Sequence, residues 1–267
     1  MPETSGFQAS DGQSDYYQNL VQPFMAPLAE ALVASGVRAG DRVLDVACGT
    51  GFATREAAKV VGTDGEVVGL DINPAMLATA RAVTNADASI SWVEASALEI
   101  PFDDDSFDSA VSQQGIQFFP DVPAGLSEMA RVVRPGGRIG ATVWTTIERT
   151  PFLAAETAML IRYCGLDPDI SDQAFPIDGA AKIAAWFGSI GIDDVAIDVL
   201  EPIVSLPPMS TYLPEHLKAL PWAAAFAGLD ATTTAQALEE VQRDLAEYET
   251  AAGTEIPFSS YLARAIV

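Results

Sequence analysis

Two acids and two glycines carry the chemistry that this sequence makes legible. In Val43-Leu44-Asp45-Val46-Ala47-Cys48-Gly49-Thr50-Gly51 an apolar run bearing Asp45 passes straight into a glycine turn. A second apolar run, Val67-Val68-Gly69-Leu70, closes on Asp71. Glycines at 49 and 51 let the backbone turn tightly and approach a ligand that a Cβ would hold off. An acid at the end of an apolar strand is costly to desolvate unless something hydrogen-bonds to it. Ribose hydroxyls would do so, and the spacing suits a carboxylate gripping both at the edge of a parallel sheet. Asp45 stands where it can receive an ammonium or order the loop. The predicted ligand is an adenosine-containing cofactor with a charged tail. The competing use of Asp71 is as part of a helix cap with Asn73-Pro74.

Two adenosine cofactors compete for the pattern. A dinucleotide site wants G-x-G-x-x-G, whose third glycine permits close helix–strand packing; here that position is Thr54, so the fingerprint is incomplete. The order Asp45-x-x-x-Gly49-x-Gly51 instead resembles the first motif of the class I S-adenosylmethionine (SAM) methyltransferases. Asp71-Ile72-Asn73-Pro74 with Met76-Leu77 is similar to that family's ribose-binding turn and following helix. Ser96-Ala97-Leu98-Glu99-Ile100-Pro101-Phe102 with Ser106-Phe107-Asp108 resembles its adenine loop and the approach to its fourth strand. Arg131-Val132-Val133-Arg134-Pro135-Gly136-Gly137-Arg138 resembles the turn before its fifth strand. The likeness runs from about Asp41 to Trp144 and points to the small-molecule, quinone or menaquinone C-methyltransferase-like branch.

The resemblance implies a SAM site made of Asp45, Ala47, Gly49, Gly51, Asp71, Ile72, Met76, Ser96, Ala97 and Gln113, with S-adenosylhomocysteine as product. Ser96 departs from the Asp or Asn of many relatives, and a serine hydroxyl is shorter and uncharged. Gln114 and Gln117 could reach cofactor or acceptor, or serve as polar packing. Tyr16 and Tyr17 fall in an N-terminal helix of the kind that closes over SAM in this family. His216 is the only histidine, the natural general base near neutral pH; beside Glu215 and Lys218 a solvated helix face is the commoner explanation. His216, Tyr17 and Gln114 are therefore candidate catalytic groups, with no residue assigned. Trp144 could border the acceptor or sit in the core. A methyl donor with a sulfonium leaving group asks mainly for positioning, so scarce histidine does not count against methyl transfer. The alternatives are a SAM-binding sensor or non-methylating enzyme of the same fold, and a dinucleotide oxidoreductase.

The elements that must hold these residues alternate strand and helix from Val43 to Val143, the signature of an α/β, doubly wound, mostly parallel sheet. Strands are predicted at Arg42–Val46, Glu66–Asp71, Ile90–Glu94, Phe107–Ser112, Arg138–Thr145, Val195–Ser205 and Pro257–Ile266, seven in all. Residues 1–40 form an N-terminal helical segment, broken into short pieces by Pro23 and Pro27. Residues 41–206 form the SAM-binding core, 207–253 a helical cap inserted before the last strand, and 254–267 the core's final strand. Tyr212, Leu213, Leu217, Leu220, Trp222 and Phe226 give that cap an apolar lining for a small, apolar or aromatic acceptor of O-, N- or C-methylation.

Composition narrows the partners. A net charge of −23 works against nucleic acid, whose backbone requires clustered Lys and Arg. No apolar run reaches the roughly 20 residues of a membrane span, and Met1 to Asp15 lacks the order of a signal peptide, so the expected location is cytoplasmic. The only cysteines, Cys48 and Cys164, argue against a disulfide framework or thiolate zinc site, and no metal is expected. The expected assembly is a monomer or homodimer.

Overall fold

The computed structural model describes residues 13–169, 175 and 179–267. Runs such as Val43–Val46 and Val67–Leu70 are buried on both faces, as central parallel strands demand. They build a seven-stranded sheet in the order β3-β2-β1-β4-β5-β10-β6. Here β1 is Arg42–Val46, β2 Glu66–Asp71, β3 Ile90–Glu94, β4 Phe107–Gln113, β5 Val133–Trp144, β6 Val195–Leu200 and β10 Ser260–Ile266. Only β10 is antiparallel to its neighbours, β5 and β6. The chain winds outward through β2 and β3, then reverses to β4 and β5. The switch point therefore falls between β1 and β4, where open α/β sheets bind ligands.

Helix α1 (Gln13–Gly36), α2 (Phe52–Val61), α3 (Pro74–Ala82) and α4 (Val122–Val132) connect or flank these strands. Asn73 caps α3 by accepting from the Ala75 N–H, with Pro74 at its first position. Asp121 caps α4 in the same way. Beyond β5 come α5 (Pro151–Cys164) and α6 (Gly179–Gly188). Between β6 and β10 the chain makes β7 (Ile203–Leu206), α7 (Met209–His216), α8 (Ala223–Ala227), α9 (Ala231–Asp244), β8 (Glu249–Thr250) and β9 (Gly253–Pro257).

Four features correct the sequence reading. Pro23 and Pro27 do not break α1, which runs through both. They lie four apart, so the carbonyl deprived of its partner by Pro27 is that of Pro23, and the losses fall on one side. The strand expected over Val195–Ser205 is two: Pro202 interrupts it, and β7 leaves the main sheet to join β9 and β8 in a small sheet of its own. Consequently residues 254–257 belong to that small sheet, and the core's last strand begins at Ser260. The Pro135-Gly136-Gly137 turn is taken into β5 as an irregularity: Phe107 pairs with Val133, and pairing resumes at Ser109 with Arg138.

Candidate functional site

The loop after β1 is held in an uncommon backbone shape. Ala47, Gly49 and Gly51 have φ of 57°, 54° and 85°, the left-handed region that only glycine enters cheaply. At Gly51 an added Cβ would stand 2.4 Å from the Trp92 ring. At Gly49 it would meet nothing within 4 Å, because Gly49 faces open space. That space is a cavity of about 250 Å³ at the carboxyl ends of β1, β2, β4 and β5.

Asp71 ties two turns together at the cavity wall. Its Oδ2 accepts the Gly49 N–H at 2.7 Å and its Oδ1 accepts the Asn73 N–H at 2.8 Å. A carboxylate offers about four acceptor positions, so both oxygens can still take hydroxyl donors. Burial raises the Asp71 carboxyl above the usual range, opposed by the backbone N–H groups of Asn73, Gly49 and Ile72. Asp45 is fully buried and does not line the cavity. Its Oδ2 accepts the Thr54 hydroxyl at 2.5 Å, and its Oδ1 has no hydrogen-bond partner. Burial lifts its pKa to about 7, with Thr54 opposing and Asp71 adding to the rise. Of its two expected uses, the geometry fits loop ordering. Burial also holds the Cys48 thiol neutral, so Cys48 packs rather than attacks.

Ala47, Ile72, Met76, Ser96, Ala97 and Gln113 all line the same cavity, as Gly49 and Asp71 do; Gly51 shapes the loop from behind. Ser96 Oγ already accepts the Leu98 N–H at 3.1 Å, leaving its O–H as a donor. Gln113 Nε2 donates to the Met25 carbonyl of α1 at 2.7 Å. Gln114 reaches the cavity wall, but its Nε2 donates to Ser260 Oγ and its Oε1 accepts from Gln117. Both ends are engaged, which makes it polar packing between β4 and β10 rather than a proton carrier. Tyr17 lines the cavity, and burial with nearby Asp71 pushes its phenol well above the usual range, so it stays un-ionised. Tyr16 is largely exposed.

His216 is not on a solvated face. It is 1% exposed and lines the cavity. Met209, Tyr212, Leu213 and His216 form the buried stripe of α7, and that spacing was the available signal. The residue missed altogether is Glu156, 4% exposed on α5 among Phe152, Met159 and Leu160. An acid on an otherwise apolar helical stripe was the clue. His216 Nε2 and Glu156 Oε1 are 3.3 Å apart. Of the proposed cap lining, Leu220 reaches the cavity, whereas Tyr212, Leu213 and Leu217 pack behind it.

A seven-stranded sheet with its penultimate member antiparallel, and a glycine loop and acid at its switch point, defines the class I SAM-dependent methyltransferase fold. Residues 29–158, just under half of the chain, match the ubiE/COQ5 methyltransferase family. It is 40% identical over 131 residues to an uncharacterized protein of Mycobacterium tuberculosis, covering 48% of this chain and 47% of that one. It is 41% identical over 114 residues to a 2-phytyl-1,4-naphtoquinone methyltransferase of a Synechocystis species, covering 42% and 48%. These matches thus span about half the length of the curated relatives. A SAM-dependent methyltransferase structure from Aquifex aeolicus superposes with a TM-score of 0.55 at 19% identity, covering 72% of this chain and 93% of that one. The cradle fits the cofactor of that family: open space over Gly49 for close approach, and spare acceptor positions on Asp71 for a diol.

Proposed function

We propose that the chain is a SAM-dependent methyltransferase acting on a small, apolar or aromatic metabolite held beneath the helical cap. One observation carries this reading: the Gly49–Asp71 cradle and the cap residues His216 and Leu220 open into one cavity. In this reading Asp71 holds the ribose hydroxyls, and Gly49, Ala47 and Gly51 shape the loop that approaches the cofactor tail. Ile72 and Met76 flank the adenosine, and Ser96 and Ala97 face the adenine. Asp45 keeps the loop in place, and Gln113 joins β4 to α1 beside the methyl donor. SAM supplies the electrophilic methyl group; the chain binds, aligns and excludes water.

Residues 41–206 provide the cofactor site and part of the acceptor wall, residues 207–253 add His216 and Leu220 to that wall, and α1 closes over both. The acceptor side is bordered by Phe24, Trp144 and Leu153, a lining suited to a ring. The naphtoquinone specificity of a relative favours quinone-like acceptors. The net charge of −23 leaves nucleic acid outside this reading. Among the described residues no helix is long and apolar enough to cross a membrane. Two free cysteines suit a reducing cytoplasm, with the protein a monomer or homodimer.

The test is calorimetric titration with SAM, with Asp71→Ala in parallel. Micromolar binding, weakened at least a hundredfold by the substitution, is the expected result; no binding by the unsubstituted protein overturns it. Turnover of SAM to S-adenosylhomocysteine with an added acceptor separates a methyltransferase from a SAM-binding sensor.

A further inference from the structure

The acceptor side of the cavity has one polar feature not accounted for by cofactor binding. No Lys or Arg lines the cavity among the described residues, so an acceptor carrying phosphate or carboxylate finds no counter-charge. What it meets is the Glu156–His216 pair. The pair lies toward the β5 side: the Phe24 ring is 6.1 Å from His216 and 6.4 Å from Trp144, at the end of β5. Asp71 ends β2, three strands away in the sheet order, roughly 14 Å at the usual strand spacing. A methyl donor anchored at Asp71 therefore has room to extend toward the pair.

The pair's surroundings decide where protons can sit. His216 Nε2 and Glu156 Oε1 are 3.3 Å apart but misaligned, so neither atom has a hydrogen-bond partner although both are buried. On the other side of the ring, Nδ1 is 3.4 Å from the Tyr212 hydroxyl oxygen. That hydroxyl donates its only proton to the Leu20 carbonyl. A neutral ring protonated at Nδ1 thus points its N–H at the Tyr212 oxygen and leaves the Nε2 lone pair beside Glu156 without a partner. A second proton, on Nε2, turns that lone pair into a donor facing Glu156 and leaves an imidazolium beside a carboxylate. Phe152 stands edge-on to the ring at 5.0 Å and Tyr212 stacks on it at 5.4 Å, fixing its plane. The arrangement is completed by taking up one proton, which is what a base must do.

Resting on the methyl-transfer reading, we propose that Glu156 and His216 are the catalytic base and that the acceptor presents an aromatic hydroxyl to them. The acceptor's O–H proton passes to His216 Nε2, and the pair becomes imidazolium and carboxylate. The freed oxygen pair forms a bond to the methyl carbon, and the sulfur–methyl bond breaks with its electrons kept on sulfur. The products are the methyl ether and S-adenosylhomocysteine, and the stored proton is then lost to solvent.

The test uses the full chain with His216→Asn and Glu156→Gln as separate variants, each first checked for unchanged SAM affinity. Without SAM, 4-nitrophenol is added at a mildly acidic pH where the free compound is un-ionised. The unsubstituted protein should bring up the absorbance of the ionised phenol, and neither variant should. With SAM, labelled methyl transfer to 1-naphthol should fall about 10²- to 10⁴-fold in each variant. Transfer to 4-nitro-1-naphthol, already ionised at neutral pH, should fall less than about tenfold. Equal losses with both naphthols, or no ionised band with the unsubstituted protein, would overturn the assignment. SAM binding without methylation of either naphthol would remove the hydroxyl acceptor and leave the methyltransferase reading standing. Absence of SAM binding strikes that reading instead, while the nitrophenol spectrum still judges the pair.

Discussion

Replacing Asp45 by Asn removes a buried titratable group while keeping the oxygen that accepts the Thr54 hydroxyl at 2.5 Å. Asp45 is completely buried, and its pKa is raised from 3.8 to about 7, chiefly by desolvation. A carboxyl whose folded pKa lies above its unfolded value binds its proton more tightly in the folded state. Stability from this group is therefore greatest at low pH, falls as pH rises from about 4 to about 7, and is level above that. At 1.36 kcal/mol per pKa unit the full cost is about 4 kcal/mol, of which about 3 kcal/mol develops between about pH 5 and pH 8.5. The assay is urea unfolding of both proteins without SAM at several pH values across that window. The stability of Asp45→Asn minus that of the unsubstituted chain should grow by about 3 kcal/mol from the acid end to the alkaline end. A difference that stays flat would refute the claim that Asp45 is held protonated by burial. The same variant separates the two uses expected of this acid. As a loop-ordering residue outside the cavity wall, its loss of charge should weaken SAM binding less than about tenfold, or under about 1.4 kcal/mol.

Two further substitutions test the framework. Gly51→Ala forces a Cβ to within 2.4 Å of Trp92 at a φ of 85°, and should cost about 1–3 kcal/mol from the strained backbone, read as a lowered Tm of roughly 2–4 °C per kcal/mol. Arg138→Ala leaves Asp41 buried without the guanidinium that approaches it at 2.5 Å; breaking such a pair should cost about 3–5 kcal/mol, measured by urea unfolding at neutral pH.

The loop-and-acid cradle proposed for the cofactor was legible because its constraints are local. Gly49, Gly51 and Asp71 are dictated by backbone shape and by one strand end, both of which leave short, fixed spacings in the chain. The N-cap at Asn73 and the burial of β1, β2 and β4 follow from equally local patterns. The far side of the cavity, proposed for the acceptor, was legible only in outline. Glu156 and His216 lie sixty residues apart on different helices, and no spacing rule joins them; only their helical phase betrays burial. His216 was open to a solvated reading because Glu215 and Lys218, which pair with each other at 2.6 Å, are its sequence neighbours. They occupy the opposite face of the turn. The small β7-β9-β8 sheet escaped because its short strands read as continuations of longer ones until Pro202 is seen to redirect the chain.

Helix α1 explains why the two halves need not be joined by sequence. Near its start, Thr79 of α3 donates to Asp15 at 2.9 Å and contacts Ser14 at 2.8 Å, fixing the helix to the element that follows Asp71. One turn on, Tyr17 enters the cavity wall beside Asp71. The same helix gives the Leu20 carbonyl to Tyr212 and places Phe24 against His216, while Gln13 Nε2 donates to the Leu220 carbonyl at 2.8 Å. Met25 receives the amide of Gln113 from the end of β4. A single helix thus touches the surroundings of Asp71, the switch-point strand and the cap. Two prolines within it are tolerable because its stability comes from this packing, not from its own backbone ladder. Anything that reorders α1 must act on cofactor and acceptor sites together. The Tyr212 hydroxyl that faces His216 Nδ1 is accordingly tied, through the Leu20 carbonyl, to α1.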